Sequence, residues 1–279
     1  VFNLTFAKGF FDGLKFTGIA QGWSLTVEEC FYFSAPLIFL MFRRRRIWLP
    51  LLGIYMIGVA LTLFSQGLSL PLGFFGSFRF TLLYTFWGRA FEFFVGMYLA
   101  RLYINHTAKA ASPAPVRRIP ATWIGLVGAA ILVSAMVSLQ SPDFGYGLFH
   151  PAGIFINNVL LPLCYAFLFW GLLTENTWLK NLLGSRLMEL LGKASYVFYL
   201  IHVGIVRTFV GAILSKLALG YLPRYLIMFI VLNLIAIGIY VFIEDPLNKV
   251  IRKSRLLEVS PKPDSSQAFG DNPANLHSE

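Results

Sequence analysis

The chain has 279 residues, of which 57% are hydrophobic and only 13% charged, and its formal net charge is +10. So few charges cannot coat a water-exposed globule, and so many apolar and aromatic residues exclude a disordered chain. Two cysteines, Cys30 and Cys164, exclude a disulfide scaffold.

A polytopic membrane protein remains, and it requires apolar runs of about 20 residues. Such runs, complete or nearly so, fall in chain order at 25–42, 47–66, 81–103, 121–140, 153–173, 194–214 and 224–243. At about 1.5 Å per residue each comes close to crossing a hydrocarbon core of roughly 30 Å as a helix. The stretch Leu226 to Val241 does not alternate polar with apolar residues, as a barrel strand would. The expected fold is therefore an all-α polytopic bundle of about seven transmembrane helices.

The basic residues predict its orientation. Arg43 to Arg46 follow the first run and place that loop in the cytoplasm. Alternation then puts sixteen of the 23 basic residues in cytoplasmic segments. Only Lys8, Lys15, Arg79, Lys216 and Arg224 fall outside, and Arg89 and Arg207 lie within spans. This bias sets the N-terminus outside and the C-terminus in the cytoplasm, and it reads the positive charge as an orientation signal with no nucleic-acid partner. Residues 1–250 form the membrane domain, 251–279 read as a disordered cytoplasmic tail, and Asn105 to Pro120 read as a Pro/Ala loop. An outside N-terminus with neither a signal peptide nor an initiator Met predicts an odd number of spans before Val1.

Ionisable side chains within spans are costly and are functional candidates. Glu28 and Glu29 begin the first span, behind Trp23, Ser24 and Thr26. They suit the helix dipole there, and because neighbours point about 100° apart only one of them can face the bundle centre. Arg89 and Glu92 share a helical face and can pair, either as a clamp between helices or as a holder of an anionic group. Ser195, Tyr199 and His202 follow i, i+4, i+7 spacing and predict one inward polar stripe, bonding a neighbouring helix or working on a substrate. Glu244 and Asp245 close the last span at its inner boundary. No metal-ligand spacing, phosphate loop or Gly-x-Ser-x-Gly elbow is present. On these grounds alone a transporter or flippase for a glycan or small molecule fits as well as an enzyme.

Four segments in order resemble bacterial acyltransferase family 3, the integral-membrane O-acyltransferases. Trp23-Ser24-Leu25-Thr26-Val27-Glu28-Glu29-Cys30-Phe31-Tyr32 is similar to that family's Trp-Ser-Leu-x-Val-Glu-Glu-x-Phe-Tyr, with Cys30 in place of the usual Gln. Arg89 to Gly96 resembles its Arg-x-x-Glu-x-x-x-Gly, Leu191 to His202 its Leu-Gly-x-x-Ser-Tyr-x-x-Tyr-Leu-x-His, and Phe242 to Pro246 its Phe-x-Glu-x-Pro. The resemblance implies a ten-helix protein of the bacterial inner membrane, of which this chain is the C-terminal portion. It implies transfer of an acyl group, usually acetyl from acetyl-CoA, to a hydroxyl of a carbohydrate or lipid-linked saccharide. The donor is a substrate; no bound cofactor and no metal are expected. On that reading Glu28, Glu29, Arg89 and His202 are the candidate catalytic residues. Trp23, Ser24, Glu92, Ser195, Tyr199 and Glu244 are the candidate substrate contacts. The family's proposed catalytic histidine would lie in the missing helices, so this segment alone is expected to be inactive.

Overall fold

The computed structural model describes residues 2–43, 48–109, 120–217 and 220–253, and among these it contains no strand beyond two isolated bridge pairs. The helices are α1 (Trp23–Arg43), α2 (Trp48–Leu68), α3 (Phe78–Tyr84), α4 (Phe86–Lys109), α5 (Ala121–Ser138), α6 (Pro151–Phe155), α7 (Leu161–Thr174), α8 (Trp178–Leu183), α9 (Arg186–Lys193), α10 (Ser195–Ile201), α11 (Ile205–Ser215), α12 (Tyr221–Ile239) and α13 (Asp245–Lys253). Five stretches among the described residues are long and apolar enough to cross a bilayer: Ala20–Met41, Trp48–Leu68, Ala121–Ser138, Pro151–Thr174 and Tyr221–Arg252. The bent pair α10–α11 makes a sixth if it counts as one span. Between 11% and 33% of each of the five is buried within the protein. Phe33, Ile205 and Phe242 lie on the surface, as they would against lipid, where an apolar side chain needs no protein cover.

Two of the expected spans are not single helices. The run at 81–103 is broken at Thr85, whose extended backbone (φ −120°, ψ 157°) ends α3 before α4 begins. The run at 194–214 bends by 73° between α10 and α11. Gly204 sits at the bend with φ 105°, a conformation that L side chains rarely adopt. Two boundaries also move. α4 continues through Lys109, so Asn105 to Lys109 are helical rather than loop, and the helix after Tyr221 runs on to Lys253. The tail from 254, the rest of the loop at 110–119 and Arg44 to Arg46 lie outside the described residues.

Two π-turns interrupt long helices, Ile156–Leu160 before α7 and Tyr240–Glu244 before α13. Each is followed after one residue by a proline, Pro162 and Pro246. A proline inside a helix has no N–H to donate and crowds the carbonyl four residues back, and a widened turn relieves both. The Phe-x-Glu-x-Pro segment is thus the sequence of a π-turn, with Glu244 on it.

α4 is the hub. Arg89, Glu92 and Arg101 reduce its hydropathy, and it packs against α1, α2, α3 and α7. Val27 and Ile38 of α1, Leu51 of α2, and Phe86, Ala90 and Phe94 of α4 form its core. α5 lies along α7, and α12 gathers α10 and α11 through Ala236 and Leu232. One end of the bundle is capped by residues 2–22. There the Asp12 N–H donates to the Gly73 carbonyl (3.0 Å) and the Phe75 N–H to the Phe10 carbonyl (3.1 Å).

Candidate functional site

Three of the four motifs meet at a single turn, residues 20–24, at the capped end of α1. Gln21 is buried, and its Nε2 donates to the carbonyls of Tyr199 and Leu200, 2.5 and 2.8 Å away. Those carbonyls close α10 at its break and lack the next helical turn as a partner. The Tyr199 hydroxyl donates to the Gln21 carbonyl at 2.9 Å. Its one proton is thereby used, so Ser24 Oγ is the donor in the Ser24–Tyr199 hydroxyl contact. His202 Nδ1 lies 2.7 Å from the Tyr199 carbonyl. A carbonyl only accepts, so the proton is on Nδ1 and the lone pair of a neutral ring is on Nε2. The imidazole stacks on Phe198, 5.6 Å between centroids and 9° between planes.

On the other side of the same turn, Arg89 and Glu92 form the expected ion pair. Nε donates to Oε1 at 2.8 Å and Nη2 to Oε2 at 3.1 Å, a two-pronged arrangement that fixes the guanidinium plane. The guanidinium carbon lies 5.7 Å from the Trp23 ring centroid, and Trp23 meets Tyr84 edge-on at 4.9 Å. The pair opens onto a cleft of about 390 Å³ that Asn157, Pro162, Tyr165 and Phe169 also line. Its side chains are 26% and 29% exposed, so it is neither a buried structural bridge nor a free surface pair.

Local backbone breaks aim Arg89. Both Gly88 and Arg89 donate their N–H to the Thr85 carbonyl at 3.2 Å, which starts α4 immediately after the extended residue. Gly88 has no room for a Cβ, because the Leu82 backbone and the Thr81 carbonyl occupy that space. Asn158, on the first π-turn, donates Nδ2 to the Leu82 carbonyl at 2.7 Å and to the Gly88 carbonyl at 3.1 Å. Its Oδ1 accepts from Asn157 Nδ2 at 2.8 Å.

The family model described as "Acyltransferase domain" (Acyl_transf_3) matches residues 1–241. The chain belongs to acyltransferase family 3. No curated protein and no solved structure matches it. It is thus a membrane acyltransferase, and the turn at 20–24 joins three of the four segments that carry the family likeness.

The acyltransferase does not bring every candidate to this turn. Ser195 departs from the expected stripe: it is exposed at the start of α10 and donates to the Gly192 carbonyl at 2.7 Å, while Tyr199 meets Gln21 and its ring lies 5.6 Å from that of His202. Glu28 is exposed and Glu29 half-buried, and neither makes a hydrogen bond or ion pair with a described residue. Glu244 has a buried Oε2 with no hydrogen-bond partner among the described residues. Asp245 pairs with Lys249 at 2.6 Å.

Gln21, Tyr84, Asn157, Asn158 and Lys8 were not singled out by the sequence. The two adjacent amides within an apolar run carried a usable signal, since polar groups in a span need partners. Lys8 counted as an outside charge, yet it is 1% exposed. Its Nζ donates to the Thr17 carbonyl at 2.6 Å and to the Ile19 carbonyl, holding the strand of chain that enters the turn. Burial pushes the Lys8 ammonium below its ordinary pKa.

Proposed function

We propose that this chain carries the acceptor-side machinery of a bacterial inner-membrane O-acyltransferase. It moves an acyl group, usually acetyl, from acyl-CoA to a hydroxyl of a carbohydrate or lipid-linked saccharide. The observation that carries the reading is the turn at 20–24, which is bonded to the α10 break on one side and lies under Arg89 on the other. In the reaction the hydroxyl oxygen attacks the thioester carbonyl while its proton passes to a base. The resulting oxyanion collapses, the C–S bond breaks, and the CoA sulfur leaves and takes up a proton. His202 Nε2 is an acceptor without a described hydrogen-bond partner and suits the proton-accepting role. The buried Oε1 of Gln21, also without a hydrogen-bond partner among the described residues, suits an orienting contact to the attacking hydroxyl. The Arg89 pair with Glu92 uses Nε and Nη2, which leaves Nη1 for the carbonyl oxygen or another anionic group. Glu29, half-buried on α1, stays a candidate for proton handling, with Glu28 on the exposed face.

Acetyl transfer from labelled acetyl-CoA to a saccharide acceptor, measured with the full-length protein in membrane vesicles, tests this. Arg89→Ala and His202→Ala are each expected to lower the rate by about 10²–10³-fold, the range for losing an oxyanion contact or a general base. Normal rates for both variants and for Glu28→Gln and Glu29→Gln would remove the site reading. Saccharide movement across liposomes without label transfer would favour a transporter. That class pairs broken helices in related halves; among the described residues α10–α11 is sharply bent and the 81–103 run is broken at Thr85.

A further inference from the structure

A second cleft, of about 520 Å³, lies at the capped end beside α3. This is within the roughly 300–1,000 Å³ typical of small-molecule sites. Its walls are the aromatic rings of Phe16, Tyr84 and Phe149, and its charged groups are Asp12, Lys15 and Arg79. Lys15 is already neutralised. It pairs with the Asp12 carboxylate, donates to the Asp12 carbonyl at 3.0 Å, and lies 5.1 Å from the Tyr84 ring centroid. Arg79 is not: among the described residues no carboxylate pairs with it. Its guanidinium carbon lies 6.0 and 5.8 Å from the centroids of the Phe144 and Phe149 rings, contacts that use none of its N–H groups as hydrogen-bond donors to a carboxylate.

We propose that this cleft docks a saccharide bearing a carboxylate or a phosphate. Arg79 takes the anionic group in the planar two-pronged fashion that guanidinium favours. The aromatic walls take the C–H faces of the sugar, as amphipathic rings do where one side of a ligand is apolar and the other wet. A glycerol- or ethanolamine-phosphate lipid headgroup offers the same phosphate, but it has no ring to occupy a concave aromatic wall. Tyr84 joins the cleft to the site described above, because its ring meets Trp23 and Arg89 lies over Trp23. This names the acceptor of the proposed acyl transfer as an acidic glycan. It rests on that reading only for the chemistry that follows docking.

Binding of glucuronate, glucose 1-phosphate and glucose to the detergent-purified full-length protein, followed by calorimetry, tests the assignment. The expectation is that at least one anionic probe binds about tenfold or more tighter than glucose, a difference of about 1.4 kcal/mol. Arg79→Gln should abolish that preference and Arg79→Lys keep part of it. Lys15→Gln should change it less than Arg79→Gln does. Equal binding of the three probes, or an unchanged preference in Arg79→Gln, would overturn the proposal. So would an Arg79→Gln effect confined to retention of phosphatidylglycerol in nanodiscs, which would make Arg79 a lipid anchor. Anion-selective binding that survives Arg89→Ala, together with no acetyl transfer by the unsubstituted full-length protein, would leave the docking site standing and remove the acyl-transfer reading instead.

Discussion

The α5–α7 pair and the α3–α4 and α10–α11 breaks are built from the same short menu of residues and do opposite things with it. α5 and α7 run side by side without a kink at their contact. Gly125 admits the backbone of Leu168 and Cys164, Gly128 faces Cys164 Sγ, and Gly171 admits Thr122. Small residues let helices close in lipid, where hydrophobic association is weak. At the site, Gly88 and Gly204 instead mark places where a helix stops or turns. The carbonyls freed there are taken by side-chain amides, Leu82 by Asn158 and both Tyr199 and Leu200 by Gln21. Regular helix satisfies its own backbone and therefore has little polarity to offer a substrate. The acyltransferase gathers its polar groups where that regularity is broken.

The sharpest way to break this contrast is to put the same methyl group into both regions. Gly88→Ala drives a Cβ into the Leu82 backbone and must shift the start of α4, and with it Arg89. A displacement of that kind is expected to lower transfer by about 10²-fold or more, because misplacing a reacting group by about 1 Å has that effect. Gly125→Ala meets an equally close backbone and is expected to destabilise by about 1–3 kcal/mol, as overpacking does. It should leave the rate per folded molecule unchanged. Thermal unfolding in detergent, read beside the rate, separates the two. A rate lost in folded Gly125→Ala would mean that the α5–α7 contact sets the positions of Pro162, Tyr165 and Phe169 in the wall of the Arg89 cleft, and is more than support.

Asn158→Leu tests the amide side of the contrast. It leaves the Leu82 carbonyl, orphaned by the α3–α4 break, without a donor, at a cost of about 1–3 kcal/mol. If Asn158 positions Arg89, kcat falls about tenfold with KM little changed. A stability loss with kcat intact would reduce Asn158 to a fastening between α3 and the π-turn.

These differences explain what the sequence could and could not reveal. Apolar run length is a property of the solvent, so the helical class and the approximate limits of α1, α2, α5 and the Pro151–Thr174 stretch were legible. The Arg89–Glu92 pair was legible because i, i+3 spacing alone puts both on one face. The breaks were not. The 81–103 and 194–214 runs stay apolar across Thr85 and Gly204, and hydropathy does not register a change of direction. Ser195 was misplaced for that reason: helical spacing projects a stripe along a continuous helix, while α10 is only seven residues long and begins beside Gly192. Gln21 and Asn158 act on carbonyls far away in sequence, and no local pattern announces that.

The smallest expected effect lies in the regular region. Glu175 ends α7 and reaches across to the start of α5, where Oε1 accepts from the Ala121 N–H at 2.6 Å and Oε2 from the Thr122 hydroxyl at 2.6 Å and its N–H at 3.3 Å. A carboxylate there caps unsatisfied N–H groups at the positive end of the α5 dipole. Glu175→Gln keeps one acceptor oxygen, turns the other position into a donor facing donors, and removes the charge. It is expected to cost about 1–2 kcal/mol, lowering Tm by roughly 2–8 °C for a protein of this size. The transfer rate of the folded protein should not move, since none of Glu175, Ala121 and Thr122 lines the Arg89 cleft, whose α7 wall includes Pro162, Tyr165 and Phe169. A rate change larger than the loss of folded protein would place the α5 terminus in contact with the chemistry and erase the distinction between the two regions.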